Sequence, residues 1–236
     1  MGTLYMIRHG QASFGSENYD RLSQKGVVQS RVVAEHLLQI GAAADAIYSG
    51  EMKRQTDTAA QTVLLHGAQR DIEYFHRIDP SFNEYASQEI LLSFVKEITG
   101  REPVLQGNFF QEYKDKKDFQ TLFEKILSGW ATGEYTKEGL VTWEEFSGRV
   151  WGGIEKIIHE DNPGRTVLIF TSGGPISAAV QKALGLSNEE TIRLGWQIAN
   201  ASITRFIYKK DRFTLASFNE TAHLALRNGE ELITYR

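Results

Sequence analysis

The hydrophobic pattern begins with Thr3-Leu4-Tyr5-Met6-Ile7-Arg8, a short run apolar on both faces, which predicts a central parallel strand ending at His9. A polar loop, Asn18 to Ser23, leads to apolar positions Val27, Val28, Val32, Val33, Leu37 and Leu38, and this spacing predicts a helix over residues 24–39 with Ser23 as its cap. Ala44 to Ser49 reads as a second strand, residues 51–65 as a second helix, and Ile72-Glu73-Tyr74-Phe75 as a third strand. Strand, helix, strand, helix, strand predicts a doubly wound α/β fold.

Residues 87 to about 160 break the alternation. Helical patterns run around Ile90–Ile98, Tyr113–Leu127 and Thr142–His159, with a Gly-rich link expected at Ser128–Gly139. They read as a helical insertion, partly a cap over one sheet edge, within a single domain spanning residues 1–236. The sheet resumes with Thr166 to Thr171, followed by Ser172-Gly173-Gly174-Pro175 and a helix over residues 176–184, with proline at its start. Residues 202–208 and 212–218 alternate like paired edge strands joined by a turn at 209–211. The expectation is a three-layer α/β/α sandwich with a mostly parallel central sheet.

Composition narrows the function classes. Of 236 residues, 41% are hydrophobic and 24% charged, ordinary for a soluble globular protein. A net charge of −4 gives no support to nucleic-acid binding. The absence of cysteine removes disulfides, thiolate catalysis and cysteine-ligated zinc. No apolar run has membrane-spanning length, Arg8 interrupts any signal-peptide core, and Met6 stands where an acylation signal needs Ser or Thr. The expectation is a cytoplasmic protein, with no membrane partner.

Three polar clusters follow predicted strand ends: Arg8-His9-Gly10, Ser49 to Arg54, and Thr171 to Gly174. Phe82-Asn83-Glu84-Tyr85 makes a fourth. Ligands of open parallel sheets bind outside the carboxyl ends of the strands. Two arginines and a helix amino terminus suit a phosphoryl group, through guanidinium forks and backbone N–H groups. Neighbouring cations keep a histidine neutral, and a neutral imidazole is a competent nucleophile toward phosphorus. A nearby carboxyl, Glu84 with Glu73 and Glu89 as competitors, is suited to protonate the departing oxygen.

These residues resemble the histidine phosphatase superfamily, branch 1, also called phosphoglycerate mutase-like. Arg8-His9-Gly10-Gln11 is similar to the family's Arg-His-Gly signature, and Leu22 to Ser30 to its Leu-Thr-x-x-Gly-x-x-Gln-Ala segment. Ser49 with Arg54 and Thr58-Ala59 resembles its Ser-x-x-x-x-Arg-x-x-x-Thr-Ala. Glu84 stands at the proton donor's place, and Asn200 to Thr204 and Phe218 to Leu224 resemble the closing segments. The resemblance implies a phosphatase with a transient phosphohistidine at His9, Arg8 and Arg54 on the phosphoryl oxygens, Glu84 as acid then base, and neither metal nor cofactor. The ligand it implies is a small phosphorylated substrate.

Two departures stand out. Ser172 occupies the place of the family's second histidine. Gly15 occupies that of a phosphate-binding asparagine, for which Asn18 is the candidate substitute. Ser172 and Gly173 are then phosphate-binding candidates. A serine gives one hydrogen bond and no charge, and loss of one stabilising donor costs on the order of 10²–10³ in rate. That argues against a phosphoglycerate or phosphosugar mutase and leaves two readings, a slow phosphatase and a pseudophosphatase that binds phospho-ligands without turnover. A Gly-x-Ser-x-Gly elbow is missing, so Ser172 is a poor serine-hydrolase nucleophile.

The other histidines read blandly: His36 on a helix, His66 and His159 near helix ends, and His223 in a structural segment. His76 is placed upstream of Glu84, where a compensating role is conceivable. Trp130, Trp143, Trp151 and Trp196 read as packing. Nothing in the mixed charges of residues 87–160 names a substrate or an oligomeric state.

Overall fold

The computed structural model describes residues 1–13, 20–70, 76–100, 116–160, 165–209 and 212–235. A six-stranded mixed, mostly parallel sheet is flanked by helices, as expected, with strand order β3-β2-β4-β1-β5-β6. The strands are β1 Gly2–Arg8, β2 Ala46–Ser49, β3 His76–Ile78, β4 Thr166–Thr171, β5 Ile203–Lys209 and β6 Arg212–Glu220. β1, β4, β2 and β3 run parallel, while β5 and β6 close the sheet antiparallel, with β6 at the edge.

The strands alternate between two buried clusters. Leu4 and Met6 of β1, with Val167 and Ile169 of β4, enter one cluster; Ile7, Leu168 and Phe170 enter the other. This period of two lets helices cover both faces. One face carries helices α1 Gln24–Gln39 and α2 Lys53–Arg70. The other carries α3 Ser87–Thr99, α4 Lys116–Thr132, α5 Trp143–Glu160 and α6 Gly173–Leu184, whose apolar residues share one cluster with the sheet. Trp130 and Trp143 are buried in that cluster, and Trp151 and Trp196 pack against it.

Helix α1 matches its expected span, with Ser23 Oγ accepting the N–H of Gly26. Of its periodic positions, Val32, Val33 and Leu37 are buried, whereas Val27 and Val28 are exposed. The predicted strand 72–75 lies outside the described residues; the strand seen there, β3, begins at His76. The link expected from Ser128 starts later, because Ile126, Leu127, Trp130 and Ala131 are all buried and their packing carries the helix to Thr132.

Helix α6 begins at Gly173, three residues before its expected start. Pro175 therefore sits in the first turn, where an N–H has no intrahelical partner to lose. The sequence reading passed over α7, Asn188–Gly195, although Ser187 and Glu190 form a reciprocal capping box. A short helix α8, Ala222–Asn228, follows β6. Among the described residues no helix is long and apolar enough to cross a membrane.

Candidate active site

Parallel strands place residues distant in sequence at one edge. In the register of β1 and β4, Arg8 pairs with Thr171, and the N–H of His9 donates to the Thr171 carbonyl at 2.8 Å. His9 and Ser172 therefore leave neighbouring strand ends side by side. β2 ends at Ser49 alongside Phe170, and helix α2, which carries Arg54, starts just beyond it.

The loop after His9 is held by residues of the two helices on one face. Gly10 N–H donates to Thr58 Oγ1 at 3.1 Å, and Thr58 in turn donates to the carbonyl of Arg54 at 2.7 Å. Gln11 N–H donates to Gln29 Oε1 at 2.7 Å, and Ser30 Oγ donates to the Gly26 carbonyl. Thr58 of α2 and Gln29 of α1 thus hold the backbone of the histidine loop, and Gln29 also ties it to Leu232 and Thr234 near the chain's end.

His9 is 4% exposed. Its Nδ1 lies 2.7 Å from the Gly10 carbonyl, which can only accept, so Nδ1 carries the proton and the lone pair is on Nε2. Arg54 Nε donates to that Nε2 at 3.1 Å. Burial, then the charges of Arg54 and Arg8, hold His9 well below the usual histidine range and outweigh the opposing bond to Gly10. The imidazole is therefore neutral at neutral pH.

Arg54 is itself oriented by Asp20, whose Oδ1 accepts from Nη1 at 2.6 Å. Asp20 also accepts the N–H of Lys53 at 2.8 Å and so caps α2. Arg8 donates through Nη1 to the carbonyls of Ile198 and of Tyr235, which anchors its guanidinium beside the site.

Glu84 reaches the start of α6, where both carboxyl oxygens lie 3.1 Å from the Gly174 nitrogen. A Cβ on residue 174 would stand 2.0 Å from Glu84 Oε1 and 2.7 Å from the Tyr85 ring, so the observed position of the Glu84 carboxyl depends on glycine there. Burial raises Glu84 above the usual carboxyl range, against the lowering effects of the Gly174 N–H, Arg54, Arg8 and the Tyr85 N–H. One carboxyl group can therefore serve both as a helix cap and as a proton donor.

Ser172 is fully buried and precedes α6, but its hydroxyl makes no cap bond; Oγ instead accepts from Gln55 Nε2 at 2.8 Å. Gly173 opens the helix, where an N–H group belongs to the first turn. Asn18 and Gly15 lie outside the described residues.

His76 does not reach toward Glu84. Its Nε2 bonds Ser49 Oγ at 2.8 Å, and burial lowers its pKa. His66 bonds the Ala34 carbonyl, and His223 bonds that of Ala201 while stacking on His36.

Sequence reasoning missed three side chains here. Asp20 sat in a loop with no periodic pattern. Gln55 was hidden by the motif residue beside it. Arg149 lies on α5, where it looks like a solvated helix residue. Its Nη2 donates to the Asn83 carbonyl at 3.1 Å, and its charge interacts with Glu84 and Glu51.

The profile of the histidine phosphatase superfamily (branch 1) matches residues 4–90 and 103–221, and the chain belongs to this superfamily. Solved structures with the same fold include a phosphoserine phosphatase from Entamoeba histolytica in complex with 3-phosphoglyceric acid. It is 21% identical with TM-score 0.66, and the match covers 95% of this chain and 100% of that one. A mycobacterial glucosyl-3-phosphoglycerate phosphatase in complex with VO3 is 20% identical with TM-score 0.64, over 93% and 99% of the two chains. A Bacillus stearothermophilus protein, YhfR, is 15% identical with TM-score 0.66, over 95% and 100%. No curated protein matches the chain in sequence.

Proposed function

We propose that the protein is a phosphomonoesterase that works through a phosphohistidine at His9. The observation that carries this reading is the neutral His9, with Nδ1 tied to Gly10 and the Nε2 lone pair facing Arg54. In the first step Nε2 attacks phosphorus, the P–O ester bond breaks, and protonated Glu84 gives its proton to the departing alkoxide. In the second, water attacks the phosphohistidine, Glu84 takes a proton from that water, and phosphate leaves with Nε2 restored. Arg8, Arg54, Ser172, the Gly173 N–H and Asn18 would hold the phosphoryl oxygens. Small phosphorylated ligands fit this reading, since the structural neighbours include phosphatases of such compounds. The helices of residues 87–160 would set the substrate.

The test is a chemical trap. Protein mixed with ³²P-labelled phosphate ester and quenched in base should carry acid-labile label on the peptide containing His9, and His9→Ala should carry none. Absence of label and of turnover with every ester tried would remove the reading.

One observation favours a second reading, a phospho-ligand-binding module without turnover. In this conformation the Nε2 lone pair is already occupied by Arg54. That reading requires phosphate binding that Arg8→Ala abolishes, together with no label on His9.

A further inference from the structure

We propose that Gln55 is a positioning residue that aims the hydroxyl of Ser172 at the phosphoryl group beside His9. This rests on the phosphomonoesterase reading above and supplies a neutral, two-residue donor at the strand end next to the nucleophile.

The direction of the bonds decides the case. Gln55 Nε2 lies 3.1 Å from the Phe82 carbonyl and 2.8 Å from Ser172 Oγ. A carbonyl oxygen cannot donate, so the nitrogen of the carboxamide must face Phe82, and the amide orientation follows from its partner. Its oxygen agrees, accepting the N–H of Met52 at 3.3 Å. One proton of Nε2 goes to Phe82 and the other to Ser172. Ser172 Oγ is then an acceptor in this pair and keeps its own proton to donate elsewhere.

No acceptor among the described residues takes that proton. Ser172 is fully buried, stands at an N-cap position without using its side chain as a cap, and follows the β4 residue bonded to His9 N–H. A buried donor without a protein acceptor is costly, and a phosphoryl oxygen in the crevice would satisfy it. Gln55 is itself fully buried and sits in space that only glycine at position 50 leaves open, because a Cβ there would stand 2.1 Å from Oε1. The carboxamide thus joins α2, the segment leading to Glu84, and Ser172, while adding no charge near the neutral imidazole.

A plain cross-brace would also join these segments, so the test separates bracing from aiming. The full chain is compared as wild type, Ser172→Ala, Gln55→Leu and the double variant, with p-nitrophenyl phosphate as substrate and orthovanadate as inhibitor. Aiming predicts that Ser172→Ala lowers kcat about 100-fold, as loss of one transition-state donor does. Gln55→Leu should lower kcat at least about 10-fold and weaken vanadate inhibition in wild type, yet change neither more than about 2-fold in the Ser172→Ala background. Equal losses in both backgrounds, or no loss in wild type, overturn the proposal.

Gln55→Met replaces Gln55→Leu should the latter fail to fold. Failure of the activity itself is distinguishable, because a wild type that turns over no ester fails before any variant is compared. In that case calorimetric titration of the four proteins with inorganic phosphate decides. Non-additive loss of affinity keeps the proposal; additive loss or no binding by wild type overturns it.

Discussion

The Nε of Arg54 donates to Nε2 of His9 across 3.1 Å, so the lone pair that the proposed mechanism directs at phosphorus is engaged by the cation proposed to hold phosphate. On the proposed mechanism, an incoming phosphoryl oxygen has to accept the Arg54 Nε–H hydrogen bond in place of His9 before Nε2 is available. Binding and exposure of the nucleophile become one event. The pH dependence follows, because His9 is depressed below its ordinary value and Glu84 raised above its own. The proposed mechanism needs His9 neutral, which holds above its lowered pKa, and Glu84 protonated, which holds below its raised pKa. We expect a bell-shaped kcat/KM profile whose acid limb lies below the ordinary histidine pKa and whose alkaline limb lies above the ordinary carboxyl pKa, and Glu84→Gln should remove the alkaline limb while lowering kcat about 100-fold. A Glu84→Gln profile that keeps its alkaline limb would contradict these assignments.

Asp20 should matter more than its partly exposed position suggests. It caps α2 through Lys53 N–H and fixes Arg54 Nη1 at 2.6 Å. Asp20→Ala is expected to cost about 1 kcal/mol of stability, a drop of about 2–4 °C in melting temperature, from the lost cap. It should also lower kcat/KM about tenfold through a loosened Arg54. Steady-state kinetics and thermal unfolding check both, and kcat/KM within twofold of wild type would refute the link.

Gly174→Ala should act on Glu84 rather than on α6. The new methyl would stand 2.0 Å from Oε1 and 2.7 Å from the Tyr85 ring, and the carboxyl group, the nearer of the two, must leave its place. With general acid catalysis contributing about 10²–10⁴, a fall of at least about tenfold in kcat is expected. In a Glu84→Gln background the same change should have little further effect. Comparable losses in both backgrounds would place the damage elsewhere.

His223 predicts a stability profile independent of catalysis. Burial, with a lesser effect of His36, lowers its pKa from 6.5 to about 4, against the bond to Ala201 and the charge of Glu220. The unfolded chain therefore binds this proton more readily. The stabilisation is present in full above pH 6.5 and is lost as pH falls through that value toward 4, by about 3 kcal/mol. Urea midpoints of wild type and His223→Gln should converge as the pH drops from 7 to 4.5. Parallel curves would show that the ring titrates normally.

The sequence was most legible where periodicity and caps agree. Helix α1, with Ser23 as its cap and Val32, Val33 and Leu37 on its buried face, needed no tertiary information. The parallel order was readable from alternation, and the crevice from residues that follow strand ends. What escaped was set by side-chain direction. Nothing local distinguishes a serine that caps a helix from Ser172, which turns away to Gln55. Asp20 and Arg149 act through partners far along the chain, and α7 was passed over although its capping box was written in Ser187 and Glu190.

β4 lies between β1 and β2 in the sheet yet follows both in the chain by about 120 residues or more. Until residues 166–171 are made, β1 and β2 have no strand to join them, and each keeps an edge of unpaired N–H and C=O groups. Pairings such as Arg8 with Thr171 are among the most non-local in the molecule and close slowly. The crevice therefore depends on a strand supplied from the second half of the chain. A chain halted before residue 165 lacks β4, β5 and β6, which leaves β1 without either sheet neighbour and β2 without one of its two, and exposes those edges to other chains.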